Sequence, residues 1–423
     1  MGEYFERYIE QIIANKMKSS GAVLVAGPKF CGKTTTSIRF AKSVYRINTK
    51  NVVDITKFNP KIALVGERPH LLDEWQKVPD IWNCVKEDLD IDYQFGKFIL
   101  TGSSTPADKT RIQHSGAGRI VPLKMYPMSL YESHDSKGLV SLSRLFETKR
   151  LETVDPNQDF DLEDAAYLVC RGGWPLSVKA SKDVSLEVTK NYYEGLFYYD
   201  DNDNPSFRNK NPEIFKAILK SYARNISTEA ALTTIIGDAR GGGEREMDEK
   251  TFREYWIALK DLYMIEDMEA WNPNIRSKTA IVATPTRHFF DPSLACCALG
   301  ISPQDLMNDL NSFGFFFEDM AVRDLRVYMS KNNGVLRHYR DNAGLECDAI
   351  LHLPNGKWAA IEIKLGGEKF IEEGAKKLTV LKKKLAEKSD EPAPEFMMIL
   401  TAFGSLYQRQ DGIMVVPINT LKA

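Results

Sequence analysis

The amino-acid sequence predicts a multidomain α/β chain organised around a parallel sheet, and three observations predict it. At 423 residues the chain is longer than one hydrophobic core serves, so roughly two to four domains are expected. Near the amino end "AVLVAG" is a continuous apolar run followed by a glycine-containing loop and a helical pattern. The short apolar runs in "LLDE", "FILTGSS" and "GRIVPLK" follow. Runs of this length, bounded by turn residues, read as buried strands of a parallel sheet. Toward the carboxyl end Pro354-Asn355-Gly356 separates two strand-like runs, which is a hairpin signal.

Composition narrows the partners. Lysines and arginines number 56 against 58 acidic residues, a formal net charge of −2, so no global basic field marks nucleic acid as an obligatory partner. No apolar run is long enough to span a membrane and no signal peptide is evident. The amino end is instead amphipathic, with Phe5, Tyr8, Ile9, Ile12, Ile13 and Met17 on one helical face. Six scattered cysteines, one of them in the loop and two adjacent, suit neither a disulfide framework nor a zinc site. They read as free thiols in a reducing cytosol, so a cytoplasmic location is expected.

The loop Gly27-Pro28-Lys29-Phe30-Cys31-Gly32-Lys33-Thr34, with Thr35 behind it, satisfies G-x-x-x-x-G-K-[ST] between a strand and a helix over "KTTTSIRFAKSVY". The glycines allow backbone N–H groups to turn inward around phosphates, and the helix N-terminus adds its positive end. Lys33 is expected to reach the β- and γ-phosphates of ATP, and Thr34 to ligate Mg²⁺. In "HLLDE" a strand ends in Asp73, placed to hold the metal's shell, and Glu74, placed to act as general base on water. "KFILTGSSTP" delivers Thr101, Ser103 and Ser104 to the carboxyl end of another strand, where ligands of open α/β sheets bind. A fifth strand is entered through Gly118-Arg119. Arg119 reads either as an arginine finger completing a neighbour's site in a homo-oligomer or as a solvated surface residue.

The series "GPKFCGKTTT", "LLDEWQKVPDIW", "FILTGSSTP", "GRIVPLKMYPMSLYE", "RGGWP" and "DPSLACCALG" resembles a prokaryotic family of AAA+ ATPases fused to a C-terminal domain of unknown function. The resemblance covers essentially the whole chain. It implies a five-stranded parallel core with Lys33, Thr34, Asp73 and Glu74 in the roles above, and Thr101 or Ser103 as a sensor of the γ-phosphate. "GGWP" is similar to the Gly-x-Pro motif by which some AAA+ relatives close a helical lid over the base, and on that ground alone Gly173 and Pro175 join the nucleotide site.

Residues 136–225 are mostly helical in pattern, broken at "VDPNQDFD" and at "YYDDNDNPSFRNKNP". After them a short helix, a Gly-rich turn, an amphipathic helix over Thr251–Leu262 and a strand "MIEDMEAW" outline a winged helix. The helix alternates Arg253 and Lys260 with Glu254 and Asp261, which favours packing or oligomerisation over DNA reading.

In the last hundred or so residues, "FGFFFEDMAVRDLRVYM" predicts a helix carrying Glu318 beside an aromatic run. If Pro354, Asn355 and Gly356 form the hairpin loop, Leu353 faces Lys357, Asp348 lies opposite Glu362, and Glu346 opposite Lys364. Period two then places Glu362 and Lys364 on one face and Ala359, Ile361 and Ile363 on the apolar other. A two-residue Asn355-Gly356 loop would separate Asp348 from Glu362. Converging carboxylates can hold a second divalent metal, Mg²⁺ or Mn²⁺, with Lys364 orienting water. This D…E-x-K arrangement, with a preceding helix, resembles the restriction-endonuclease-like superfamily. A cross-strand Glu–Lys salt bridge explains the same residues without chemistry.

The expected organisation is a P-loop AAA+ core over 1–135, a helical lid or linker over 136–225, a winged-helix-like domain over 226–295 and a nuclease-like domain over 296–423. Two functions follow. One is an ATPase coupled to a nuclease-like domain in nucleic-acid processing or defence. The other is a nucleotide-dependent switch or assembly protein whose degenerate nuclease-like domain only docks a protein partner.

Overall fold

The computed structural model describes residues 4–104, 112, 115–155, 159–198, 210–241, 247–273, 283–388 and 393–423. They group into two compact units. The first is drawn from Met1–Pro127, Leu196–Asn211 and Tyr255–Met264, the second from Met128–Gly195, Pro212–Glu254 and Ile265–Ala423. The chain is thus an α/β protein of more than one unit, each with its own sheet.

The sheet of the first unit has five parallel strands: β1 (Ala22–Ala26), β2 (Ser43–Arg46), β3 (His70–Asp73), β4 (Phe98–Gly102) and β5 (Ile120–Lys124). Their spatial order is β2-β3-β4-β1-β5. β3 and β4 are buried along their whole length, as central parallel strands covered on both faces must be. On one face Leu72, Phe98 and Leu100 pack with Trp75, Ile81, Trp82, Val85 and Leu89. Four of these come from the helix Asp80–Ile91, and the rings of Trp75 and Trp82 lie 4.9 Å apart. The amphipathic helix at the amino end spans Tyr8–Met17 and buries Ile9 and Ile13.

One expectation is corrected here. The helix after the phosphate loop is short, Lys33–Ile38, and "SVY", read as its continuation, belongs to the edge strand β2, paired from Ser43 with His70 to Arg46 with Asp73. Alternate burial of its four residues fits an edge strand with one covered face. Tyr45 and Thr56 join by a 2.9 Å hydroxyl contact that ties β2 to the helix Lys50–Phe58.

The second unit carries a mixed six-stranded sheet. Its strands are β7 (Val335–Arg340), β8 (Glu346–His352), β9 (Trp358–Lys364), β10 (Met397–Thr401), β11 (Tyr407–Gln408) and β12 (Met414–Pro417), while β6 (Val140–Ser141) pairs apart with β13 (Leu421–Lys422). The order is β11-β12-β10-β9-β8-β7. β7, β8 and β9 form an antiparallel meander. β10 is parallel to β9, which demands a crossover, supplied by the helix Glu368–Lys388. Leu378, Leu381 and Leu385 of that helix pack on Trp358, Ala360, Ile399 and Val415. The helix predicted around Glu318 spans Leu310–Ser330.

Of the elements read as a winged helix, two helices form, Leu232–Arg240 and Glu249–Asp261. In place of the expected strand, the described residues show isolated bridges, Ile265 with Phe289, Met268 with Thr286 and Ala270 with His338. The break at "YYDDNDNPSFRNKN" lies largely outside the described residues.

Several motifs that carried the family resemblance meet in one buried ion-pair network of the second unit. Arg323, almost fully buried, donates to Asp291 Oδ2 at 2.9 Å and to Asp324 Oδ1 at 2.7 Å. Leu130 N donates to Asp324 Oδ2, Gly173 N to Asp291 Oδ2 and Trp174 Nε1 to Ser293 Oγ. Burial opposes the charge on Arg323, and the two aspartates outweigh it, raising its pKa. Removing one member of so buried a set leaves an uncompensated charge, a structural reason for these residue types at these positions.

Candidate functional site

The candidate nucleotide site lies at the carboxyl ends of β1, β3 and β4. Asp73 and Thr101 are register partners, so both side chains leave the same sheet face. Gly27 follows β1, and its N–H donates to the Gly102 carbonyl at 3.3 Å. A Cβ on Gly27 would lie 2.2 Å from the Met125 carbonyl oxygen, so only glycine permits this packing of loop on β5. Gly32 caps the following helix at φ 101°, a conformation that side chains disfavour. Phe30 also takes positive φ, 64°, and stands largely exposed at the loop tip.

Lys33 is buried. Its Nζ donates to the Pro28 carbonyl at 2.6 Å and lies 3.9 Å from Cys31 Sγ, so it folds back into its own loop. Thr34 Oγ1 donates to Asp73 Oδ1 at 2.7 Å, and Thr101 Oγ1 donates to the same oxygen at 2.5 Å. A threonine hydroxyl in contact with a carboxylate, at the foot of a phosphate loop, is a hard-oxygen donor set that fits Mg²⁺. Of the two sensor candidates, Thr101 is tied to Asp73, and Ser103 Oγ donates to Glu74 Oε2 at 3.1 Å. Glu74 itself is left-handed, φ 61°; this turns it off the strand beside Asp73.

Two residues absent from the sequence reading belong to this site. Gln76 Nε2 donates to Glu74 Oε2 at 2.6 Å and to Ser103 Oγ at 3.3 Å. Arg7 donates to the Cys31 carbonyl at 2.9 Å and the Tyr126 carbonyl at 2.8 Å, tying the amino-terminal helix to the phosphate loop. Arg7 was legible only as a polar position of an amphipathic helix, and Gln76 only as a neighbour of an acidic strand end.

Arg119 precedes β5, whose first residue pairs with Ala22 at the start of β1. It therefore stands at the amino edge of a parallel sheet, the edge opposite the phosphate loop of its own chain, and its Nε donates to Asp90 Oδ1 at 2.8 Å. Gly173 and Pro175 belong to the second unit. There Gly173 bonds to Asp291 and to Met128, and Pro175 opens a short helix.

A second cluster forms on the C-terminal sheet. Leu353 N donates to the Lys357 carbonyl at 2.8 Å, and β8 and β9 pair Leu351 with Ala359 and Ala349 with Ile361. This is the register of a three-residue loop, and it leaves Asp348 opposite Glu362. Lys364 Nζ lies 2.9 Å from Asp348 Oδ2 and 2.8 Å from Glu362 Oε2, and Ile363 N donates to Asp348 Oδ2 at 2.7 Å. One detail differs from expectation: β9 is covered on both faces, so Glu362 is fully buried. Glu346, expected opposite Lys364, has its ion pair with Arg340 at 2.9 Å.

Lys377, from the helix Glu368–Lys388, approaches Glu362 Oε2 at 3.7 Å. Neither carboxylate oxygen of Glu362 has a well-directed hydrogen bond among the described residues. Among those residues no group of three or more His, Cys, Asp or Glu is arranged to hold a metal ion. The lysine amine bridges the two carboxylates instead.

Burial first, then the charge of Asp348, pushes Glu362 up to about 7, with Lys364 and Lys377 opposing. The same causes raise Glu318, so it belongs electrostatically to this cluster. Because the native state holds these protons more tightly than the unfolded chain, the contribution of these two groups to stability is greatest below the ordinary carboxylate range. For Glu362 that contribution falls as pH rises from about 4.5 toward 7. Glu362→Gln is expected to flatten this dependence and stabilise the protein at pH 8 by about 1–3 kcal/mol. Thermal melts between pH 5 and 8 measure it, and a mutant with the wild-type slope contradicts it.

Comparison with known proteins places residues 19–134 in a match to a family described as an AAA domain. Residues 162–305 match a domain of unknown function, DUF8612, and residues 313–421 another, DUF4143. Uncharacterized proteins of Mycobacterium bovis and Mycobacterium tuberculosis are each 25% identical over 348 residues, covering 81% of this chain and 70% of theirs. Among solved structures, a Walker-type ATPase of Pyrococcus abyssi is 14% identical with a TM-score of 0.42, over 70% of this chain and 96% of that one. No helix among the described residues is long and apolar enough to cross a membrane.

Proposed function

We propose that the chain binds ATP with Mg²⁺ and hydrolyses it in its first unit, and that its C-terminal sheet carries a nuclease-like site acting on nucleic-acid phosphodiesters. The observation that carries the first part is the contact of Asp73 Oδ1 with both Thr34 and Thr101 beside Glu74. Lys33, released from Pro28, neutralises the β- and γ-phosphates while the loop amides hold them. Thr34 and Asp73 would hold Mg²⁺, which supplies charge neutralisation at the phosphates when bound. Glu74 accepts the proton of the attacking water, and Ser103 stands where it can sense the γ-phosphate. Arg119 serves a neighbouring copy in a homo-oligomer, since its own phosphate loop lies at the other edge of the sheet. Gly173 and Pro175 are assigned to lid closure on family resemblance alone.

For the C-terminal domain, the order helix, three antiparallel strands, helix, parallel strand supports a restriction-endonuclease-like reading, with Asp348, Glu362, Lys364 and Glu318 as its site. The bridge of Lys364 between both carboxylates favours the second reading, a nucleotide-dependent switch whose degenerate site docks a protein partner. Cleavage of DNA and RNA with Mg²⁺ or Mn²⁺, with and without ATP, separates them. Cutting by the wild type that Glu362→Ala abolishes supports the nuclease. A wild type that hydrolyses ATP and leaves both nucleic acids intact supports docking.

A further inference from the structure

We infer that Gln76 is a positioning residue for the general base. Its side-chain amide fixes one oxygen of Glu74 so that the other is left to take the proton from water. The inference rests on the hydrolytic reading above. Gln76 is buried, in the single turn Trp75–Lys77 that follows Glu74, and Trp75 anchors that turn against Trp82. The two N–H groups of its amide match its two contacts, Glu74 Oε2 at 2.6 Å and Ser103 Oγ at 3.3 Å. Ser103 returns its own proton to the same carboxylate oxygen at 3.1 Å, closing a ring of three groups. An ionised carboxylate only accepts, so the nitrogen end of the amide must face it.

The ring explains why a serine alone does not suffice. A hydroxyl has one proton, and Ser103 cannot give it to Glu74 and to a γ-phosphate together. When Ser103 turns to the phosphate, it still accepts from Gln76, and Gln76 still donates to Glu74. The base therefore keeps its place at the moment the sensor leaves it. Positioning of this kind acts on the rate of proton transfer and leaves nucleotide affinity alone.

The test uses the full chain and compares ATP binding and steady-state turnover for wild type, Gln76→Leu, Glu74→Gln and the double variant. Gln76→Leu is expected to lower kcat by about 10- to 100-fold, with ATP affinity within about threefold of wild type. In the Glu74→Gln background the same change is expected to move residual turnover by less than about twofold, because the group it positions is gone. Gln76→Glu, which keeps the shape, is expected to lose turnover as well, since two carboxylates then face each other; it serves if the leucine variant fails to fold. Wild-type turnover in the Gln76 variants, or an equal loss in both backgrounds, overturns the inference while leaving the hydrolytic reading in place. A wild type that binds ATP without hydrolysing it overturns both.

Discussion

Replacing Lys33 by alanine is expected to abolish measurable ATP turnover and to weaken ATP binding by about two orders of magnitude or more. Lys33 is 5% exposed, and its nearest partners are neutral, the Pro28 carbonyl and the Cys31 sulfur. Among the described residues no carboxylate pairs with it. A buried ammonium without a counter-ion is costly to the fold, and the cost is met when an anion enters the loop beside it. The alanine variant should therefore fold at least as well as wild type while losing the charge that draws in the β- and γ-phosphates. Titration with a fluorescent ATP analogue, beside a phosphate-release assay, reads both quantities. Turnover at the wild-type rate would remove this loop from the reaction altogether.

Much of this site is legible in the sequence because its parts are local. The phosphate loop is one continuous stretch, and β1, β3, β4 and β5 are apolar runs, so Thr34, Asp73 and Thr101 come together once a parallel sheet is assumed. The hairpin register was legible only as a choice between a three-residue loop, which sets Asp348 opposite Glu362, and a two-residue loop, which separates them; the pairing of Ala349 with Ile361 is that of the first. β2 was not legible, because four residues with Val44 and Tyr45 adjacent satisfy helical and strand periods alike. Gln76 was hidden because its role depends on Glu74 adopting positive φ, which no residue pattern announces. The network around Arg323 was hidden for a different reason. Its members lie at 130, 173, 291 and 324, and only the folded second unit makes neighbours of them. The same holds for the burial of Glu362, which period two alone would have left on an open face.

Glu74→Gln is expected to retain tight ATP binding and to lower turnover by about two to three orders of magnitude. The side chains differ by one atom, so the packing of the turn against Trp82 and the hydroxyl contacts of Asp73 with Thr34 and Thr101 are unaffected. Lys33 and the loop, to which the proposal gives the affinity, are untouched. What changes is that an amide oxygen cannot take a proton from water at neutral pH. Gln76 and Ser103 both donate to one oxygen of Glu74, so the amide oxygen keeps both contacts and the NH₂ takes the place of the oxygen that faced water. Binding and chemistry should therefore part: nucleotide titration close to wild type, phosphate release nearly silent. Equal losses of both would make Glu74 a structural or ligand-binding residue. Normal phosphate release would move the base elsewhere in the site, and with it the reason for the ring that Gln76 closes.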